Sequence, residues 1–153
     1  MLIALIGENC SGKSTLAERL QKQRQATVFV GKDYLRMAKN EEEAAELFRQ
    51  RLATPTDEWL VYVISEQEQV GFLPKEAKKI LVIADLATIK ERFAQRMHGH
   101  LPEPVSRMLE QHHGKFADEN VLGVLDTTTT SIEENYERYW HWWNKKKSGH
   151  QEG

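Results

Sequence analysis

One cysteine, Cys10, stands in a chain of 153 residues, so no intramolecular disulfide can form and a reducing, cytoplasmic location is the expectation. No apolar run approaches the roughly 20 residues a bilayer-crossing helix needs, so no membrane partner is expected. Residues 1–7 carry no basic region and run straight into a glycine turn, which does not read as a secretion signal. Charge of one sign is not in surplus either: 21 Lys and Arg against 23 Asp and Glu give a formal net charge of −2. A polyanion-binding surface calls for a basic excess, so nucleic acid is not an expected partner. The compact basic run Lys145, Lys146, Lys147 reads as a solvated helix end.

The hydrophobic fraction of 40% suits one globular domain spanning residues 1–153. Residues 2–6, 27–30, 59–64, 79–84 and 121–125 are short apolar runs of the kind that form strands buried on both faces. Helical spacing alternates with them. Leu16, Ala17 and Leu20 share one face, and Asn40 followed by Glu41, Glu42 and Glu43 reads as a capped helix start that runs until Thr54-Pro55. Further helices are expected from Thr88 to near Gly99, over 105–113, and from the capping box Ser131-Ile132-Glu133-Glu134 towards Lys147. This alternation predicts an α/β fold with a parallel sheet and helices on both faces. Region 33–58 is a candidate acceptor-binding insertion and 96–120 a candidate mobile lid.

The chemistry concentrates between the first strand and the first helix, in Gly7-Glu8-Asn9-Cys10-Ser11-Gly12-Lys13-Ser14. This is the G-x-x-x-x-G-K-S pattern in its required strand–loop–helix setting. Gly7 and Gly12 let the backbone approach phosphate oxygens, and the amides of Glu8, Asn9, Cys10 and Ser11 converge with the helix N-terminus on an anion. Lys13 reaches the β- and γ-phosphates, the Ser14 hydroxyl ligates Mg²⁺, and Thr15 completes the site. Cys10 is expected to fill space rather than to react.

With this loop, the segments Asp33-Tyr34-Leu35-Arg36, Asp85 with residues 90–96, and Leu125-Asp126-Thr127, the chain resembles the P-loop nucleoside/nucleotide kinase group. That group includes shikimate, gluconate and adenylate kinases and polynucleotide 5′-hydroxyl kinase domains. The resemblance implies a three-layer fold, a five-stranded parallel sheet in the order 2-3-1-4-5, a small lid, ATP as phosphoryl donor and Mg²⁺ as its metal. It also assigns Asp33 to positioning or deprotonating the acceptor and Arg36 to holding an anionic group. Asp33 reads equally as a cap for a helix beginning at Tyr34. Arg96 is the expected clamp on the transferring phosphoryl group, with Arg92 and Arg107 as alternatives, and surface pairing competes for all three. Glu66, ending the third strand, is a candidate contact to acceptor or metal-bound water. Ser65-Glu66-Gln67 replaces the glycine triplet of shikimate kinases, which argues against that acceptor.

His98, His100, His112, His113, His141 and His150 match no metal-ligand spacing and read as lid and surface residues. Tyr136, Tyr139, Trp140 and Trp143 form a helical stripe for packing, with Trp142 off it at a candidate dimer contact. The expected activity is therefore ATP-dependent phosphotransfer to a hydroxyl or phosphate of a small-molecule acceptor, by a monomer or homodimer. The alternatives are a nucleotide-binding regulatory protein and a nucleic-acid 5′-hydroxyl kinase.

Overall fold

The computed structural model describes residues 1–130 and 134–137. Its strands are β1 (Leu2–Ile6), β2 (Thr27–Val30), β3 (Leu60–Ile64), β4 (Lys78–Ile83) and β5 (Gly123–Asp126). They form one sheet in the order β2-β3-β1-β4-β5, with every pairing parallel. The helices are α1 (Lys13–Arg24), α2 (Glu41–Ala53), α3 (Leu86–Arg96) and α4 (Glu103–His112), and two 3₁₀ turns cover Asp33–Met37 and Gln67–Phe72.

The apolar runs explain the layering. Every residue of β1 and of β3 is buried, as a strand covered on both sides must be. Alternate side chains serve opposite layers. Ile3, Leu5, Val61, Val63, Ile80, Val82 and Leu125 pack with Leu16, Ala17 and Leu20 of α1. Ala4, Ile6, Tyr62, Ile64 and Leu81 pack with Ala44, Phe48 and Leu52 of α2 and with Phe116. Phe48 sits fully buried at the centre of an aromatic knot, its ring 4.9 Å from Tyr62, 5.3 Å from Phe29 and stacked on Tyr34 at 5.3 Å. Region 33–58 is thus part of the main core on that face of the sheet.

Several boundaries follow local capping rather than hydrophobic periodicity. The Asn40 carboxamide accepts from the Glu42 and Glu43 amides and starts α2 where expected. Asp85 accepts from the Thr88 amide, so α3 begins at Leu86 and not at Thr88. Pro104 lies in the first turn of α4, where a missing N–H costs nothing, so α4 begins at Glu103 rather than Val105. The turn Gln67–Phe72 was not expected from periodicity; a Glu66–Gln69 capping box builds it. Region 96–120 holds α4, which docks Leu109, Val105 and Met108 onto Ile89 and Phe93 of α3. Residues 134–137 are helical, with Tyr136 against the α1 side of the core. The remainder of the expected terminal helix, including Tyr139, Trp140, Trp142, Trp143, His141, His150 and the lysine run, lies outside the described residues. No described helix is long and apolar enough to cross a membrane.

Candidate phosphate-binding loop and acceptor edge

The 7–14 loop leaves β1 at the C-terminal edge of the sheet and is shaped by steric limits at both glycines. The Gly7 amide donates to Ile64 O at 3.1 Å, and a Cβ there would lie 2.3 Å from Val82 O. Gly12 has φ 108°, and a Cβ on it would meet Thr127 Cγ2 at 2.7 Å. Neither position accepts a side chain. Cys10 also adopts a left-handed conformation, φ 66°, which costs a non-glycine residue about 1–2 kcal/mol. Its burial against Ala84, Ile89 and Leu109 offsets that strain. Burial also pushes the thiol pKa up, against the pull of Arg96, Lys13 and Arg92, so Cys10 is a packing residue.

Behind the loop, Arg92 and Thr127 act as a staple. Arg92 Nη1 donates to Cys10 O at 3.0 Å and Thr127 Oγ1 at 2.9 Å, and Nη2 donates to Thr127 O at 3.0 Å. Thr127 Oγ1 donates in turn to Ser11 O at 2.5 Å. The carbonyls of Cys10 and Ser11 are tied to this back wall and the Ser11 amide donates to Glu8 O at 3.2 Å, so that the amides of Asn9, Cys10 and Gly12 are the ones left for an anion. Arg92 is therefore half-buried and tied to the loop rather than free on the surface, and it also lines the cavity beside Gly12 and Thr15. Arg107 pairs with Glu103 at 2.7 Å on the exposed face of α4, the surface pairing that competed for it.

Lys13 is 4% exposed, and its ammonium donates to Gly7 O at 2.5 Å and Glu8 O at 2.7 Å, folded into its own loop. Burial, reinforced by the positive charge of Lys115 and then of Arg96, pushes its pKa down to about 7. Ser11 is 1% exposed, with its hydroxyl unpartnered. The first turn of α1 has no side-chain cap, unlike those of α2 and α3, and no acidic side chain, unlike that of α2, so its amides stay open to an anion. Ser14 and Thr15 are exposed on that turn. These features fit the phosphates of a nucleotide: an uncapped helix N-terminus and a cation held at the loop by backbone carbonyls. Among the described residues no group of His, Cys, Asp and Glu could hold a metal alone, so Mg²⁺ would rest on Ser14, phosphate oxygens and water.

A cavity of about 440 Å³ opens beside Gly12 and Thr15, walled by Gln95 and Arg96 of α3 and by Thr130 and Asn135. Arg96 is exposed at the end of α3, and its charge reaches both Cys10 and Lys13. A second cavity, about 520 Å³, lies between Leu2, Leu52, Leu60 and Lys78 at the opposite edge of the sheet, remote from the loop.

On the other side of the loop, Asp33 follows β2 as the first residue of its 3₁₀ turn. It does not cap a helix at Tyr34; its carboxylate accepts from the Val30 amide at 3.1 Å and is otherwise exposed, as is Arg36. Glu66 caps its own turn and lies 3.4 Å from Lys115 Nζ. Glu8 Oε2 accepts from the Gly114 amide at 2.9 Å, and Oε1 lies 3.1 Å from His113 Nδ1. The sheet order thus sets the groups in sequence along one edge: Asp33 at β2, Glu66 at β3, the loop at β1 and Arg96 beyond it on α3. The staple, the Glu8 clasp and Lys115 escape sequence reading because their partners are distant in the chain. Only the Thr127 position, already carried by the family resemblance, offered a signal.

A family profile described as an AAA domain matches residues 2–72. No curated protein matches the sequence. Among solved structures, the YorR protein from Bacillus subtilis, in complex with phosphorylated GDP, superposes with a TM-score of 0.69 at 20% identity, over 97% of this chain and 98% of its own. Shikimate kinase from Bacteroides thetaiotaomicron superposes with a TM-score of 0.63 at 12% identity, over 94% and 98%. Deoxyadenosine kinase from M. mycoides with bound dATP superposes with a TM-score of 0.58 at 15% identity, over 94% and 100%. With its parallel 2-3-1-4-5 sheet and its loop between β1 and α1, the chain has the fold of the P-loop nucleoside/nucleotide kinase group.

Proposed function

We propose that this chain is an ATP-dependent phosphotransferase that moves the γ-phosphoryl group to a hydroxyl or phosphate of a small metabolite. The observation that carries the reading is the 7–14 loop itself: glycines that admit no side chain, carbonyls stapled backwards, and a buried lysine that donates to two loop carbonyls. Nucleotide kinds bound by proteins of this fold, GDP-derived and dATP, are consistent with it.

In this reading the nucleoside lies in the cavity beside Thr15, Gln95 and Arg96, and its phosphates run along the loop amides. Lys13 leaves the Gly7 and Glu8 carbonyls for the β- and γ-phosphates. Mg²⁺, held at Ser14, would supply charge neutralisation between those phosphates. Asp33 accepts the acceptor's hydroxyl proton as the acceptor oxygen bonds to the phosphorus and the β–γ bridging bond breaks. Arg36 and Glu66 contact the acceptor, and Arg96 clamps the phosphoryl group from the α3 side. The protein acts in the cytoplasm on a small molecule.

A panel of hydroxyl and phosphate acceptors, oligonucleotides included, assayed for ADP release tests the activity. Lys13→Ala is expected to abolish ATP binding and turnover together. Asp33→Asn is expected to bind ATP normally and transfer nothing. Unchanged turnover in Asp33→Asn rejects the base assignment. Tight ATP binding with no acceptor-dependent ADP in the wild type favours a nucleotide-sensing protein instead.

A further inference from the structure

The segment 113–116 brings a cation to the phosphate loop that neither the motif nor the lid helix explains. It is fastened at three points. Glu8, a loop residue, holds the Gly114 amide at 2.9 Å and lies 3.1 Å from His113 Nδ1. Gln67 Nε2 donates to Lys115 O at 2.8 Å. Phe116 is 2% exposed in the core under α2, and the Lys115 ammonium lies 5.3 Å from the centre of its ring.

Lys115 cannot swing freely: its side chain is only 17% exposed and it forms an ion pair, at 3.4 Å, with Glu66. Glu66 ends β3, the strand between the loop of β1 and the Asp33 end of β2. The Lys115–Glu66 pair therefore sits at the end of the strand that separates the loop from Asp33. Repulsion from Lys115 is the largest charge effect on Lys13. Two ammonium groups held near one another against their mutual repulsion make a place where an anion between them relieves both.

We propose that Lys115 is a second phosphate-binding lysine, fixed at the loop by the Glu8 clasp and contacting the terminal phosphoryl group of the bound triphosphate. This deepens the phosphotransferase reading and rests on it. Lys115 is then a catalytic residue installed before substrate arrives, so that the group in transfer is flanked by cations from the segment after α4 and from α3. Glu66 keeps the ammonium in place and is displaced by the phosphoryl group.

Calorimetric titration of ADP and of the non-hydrolysable triphosphate AMPPNP, with Mg²⁺, into the wild type, Lys115→Met and Lys115→Arg tests this. Methionine preserves the stem that packs on Phe116. A charge-assisted contact to the third phosphate alone predicts that Lys115→Met loses about tenfold or more in AMPPNP affinity while ADP changes less than about twofold. Lys115→Arg is expected to recover most of the loss. Should Lys115→Met fail to fold, Glu66→Gln frees the same ammonium and is expected to tighten AMPPNP without affecting ADP. Equal losses for both nucleotides, or no loss for either, overturn the proposal while leaving the loop reading intact. A wild type that binds neither nucleotide overturns both.

Discussion

Lys13→Met is the substitution whose consequence can be worked furthest. The Lys13 ammonium is lowered from 10.5 to about 7, chiefly by burial. At about 1.4 kcal/mol per tenfold change in proton affinity, keeping that group charged in the folded state costs about 5 kcal/mol. The cost is complete below pH 7, where folded and unfolded chains are both protonated. Between pH 7 and 10.5 the unfolded chain binds a proton that the folded chain does not, so stability rises with pH at up to about 1.4 kcal/mol per unit. Methionine removes the charge but strips Gly7 O and Glu8 O of their donor, which returns about 1–3 kcal/mol of the gain. The variant is therefore expected to be more stable than the wild type by about 2–4 kcal/mol at pH 6–7, with the gap closing towards pH 10. Urea unfolding of both proteins at stepped pH measures the difference. A gap that is absent at pH 6.5, or that widens as pH rises, refutes the reasoning. Lysine at this position would then be a structural residue rather than one kept for an anion.

The remaining expectations are simpler. Arg92→Leu removes three hydrogen bonds from the back wall, and it is expected to lose about 2–4 kcal/mol in chemical unfolding and about tenfold or more in ATP affinity. Phe48→Ala empties the centre of the aromatic knot, and a loss of about 3–5 kcal/mol is expected, with ATP binding retained wherever the variant is folded. Arg107→Ala breaks only an exposed pair on α4, and both stability, within about 0.5 kcal/mol, and turnover are expected to stay unchanged.

What could be read from the chain was whatever local chemistry dictates. The glycines, lysine and serine of the 7–14 loop are legible because each is demanded by the backbone and ligand within a few residues. The fully apolar runs of β1 and β3 announce burial on both faces, and Asn40 marks the start of α2 unaided. Strand order came from family resemblance, since no local pattern says that β3 rather than β2 lies beside β1. Long-range chemistry stayed hidden. Arg92 reads from the sequence as an alternative clamp or a surface pair, and its contacts to the loop are hidden because Cys10 and Thr127 are 82 and 35 positions away. The Glu8 side chain carries no local signal because Gly114 is 106 positions off. Lys115 had no periodicity or motif to mark it, only a place in the fold.

The central claim is that the loop and Lys13 receive a triphosphate, and proton uptake tests it most directly. At pH 8 the ammonium, lowered to about 7, is largely neutral in the free protein, and anionic phosphates beside it raise its pKa again. Titrating ATP and Mg²⁺ into the wild type at pH 8 in buffers of differing ionisation enthalpy is expected to show uptake approaching one proton per nucleotide, with affinity falling as pH rises above 7. Lys13→Met is expected to show none. Binding without proton uptake, or no binding at all, contradicts the account.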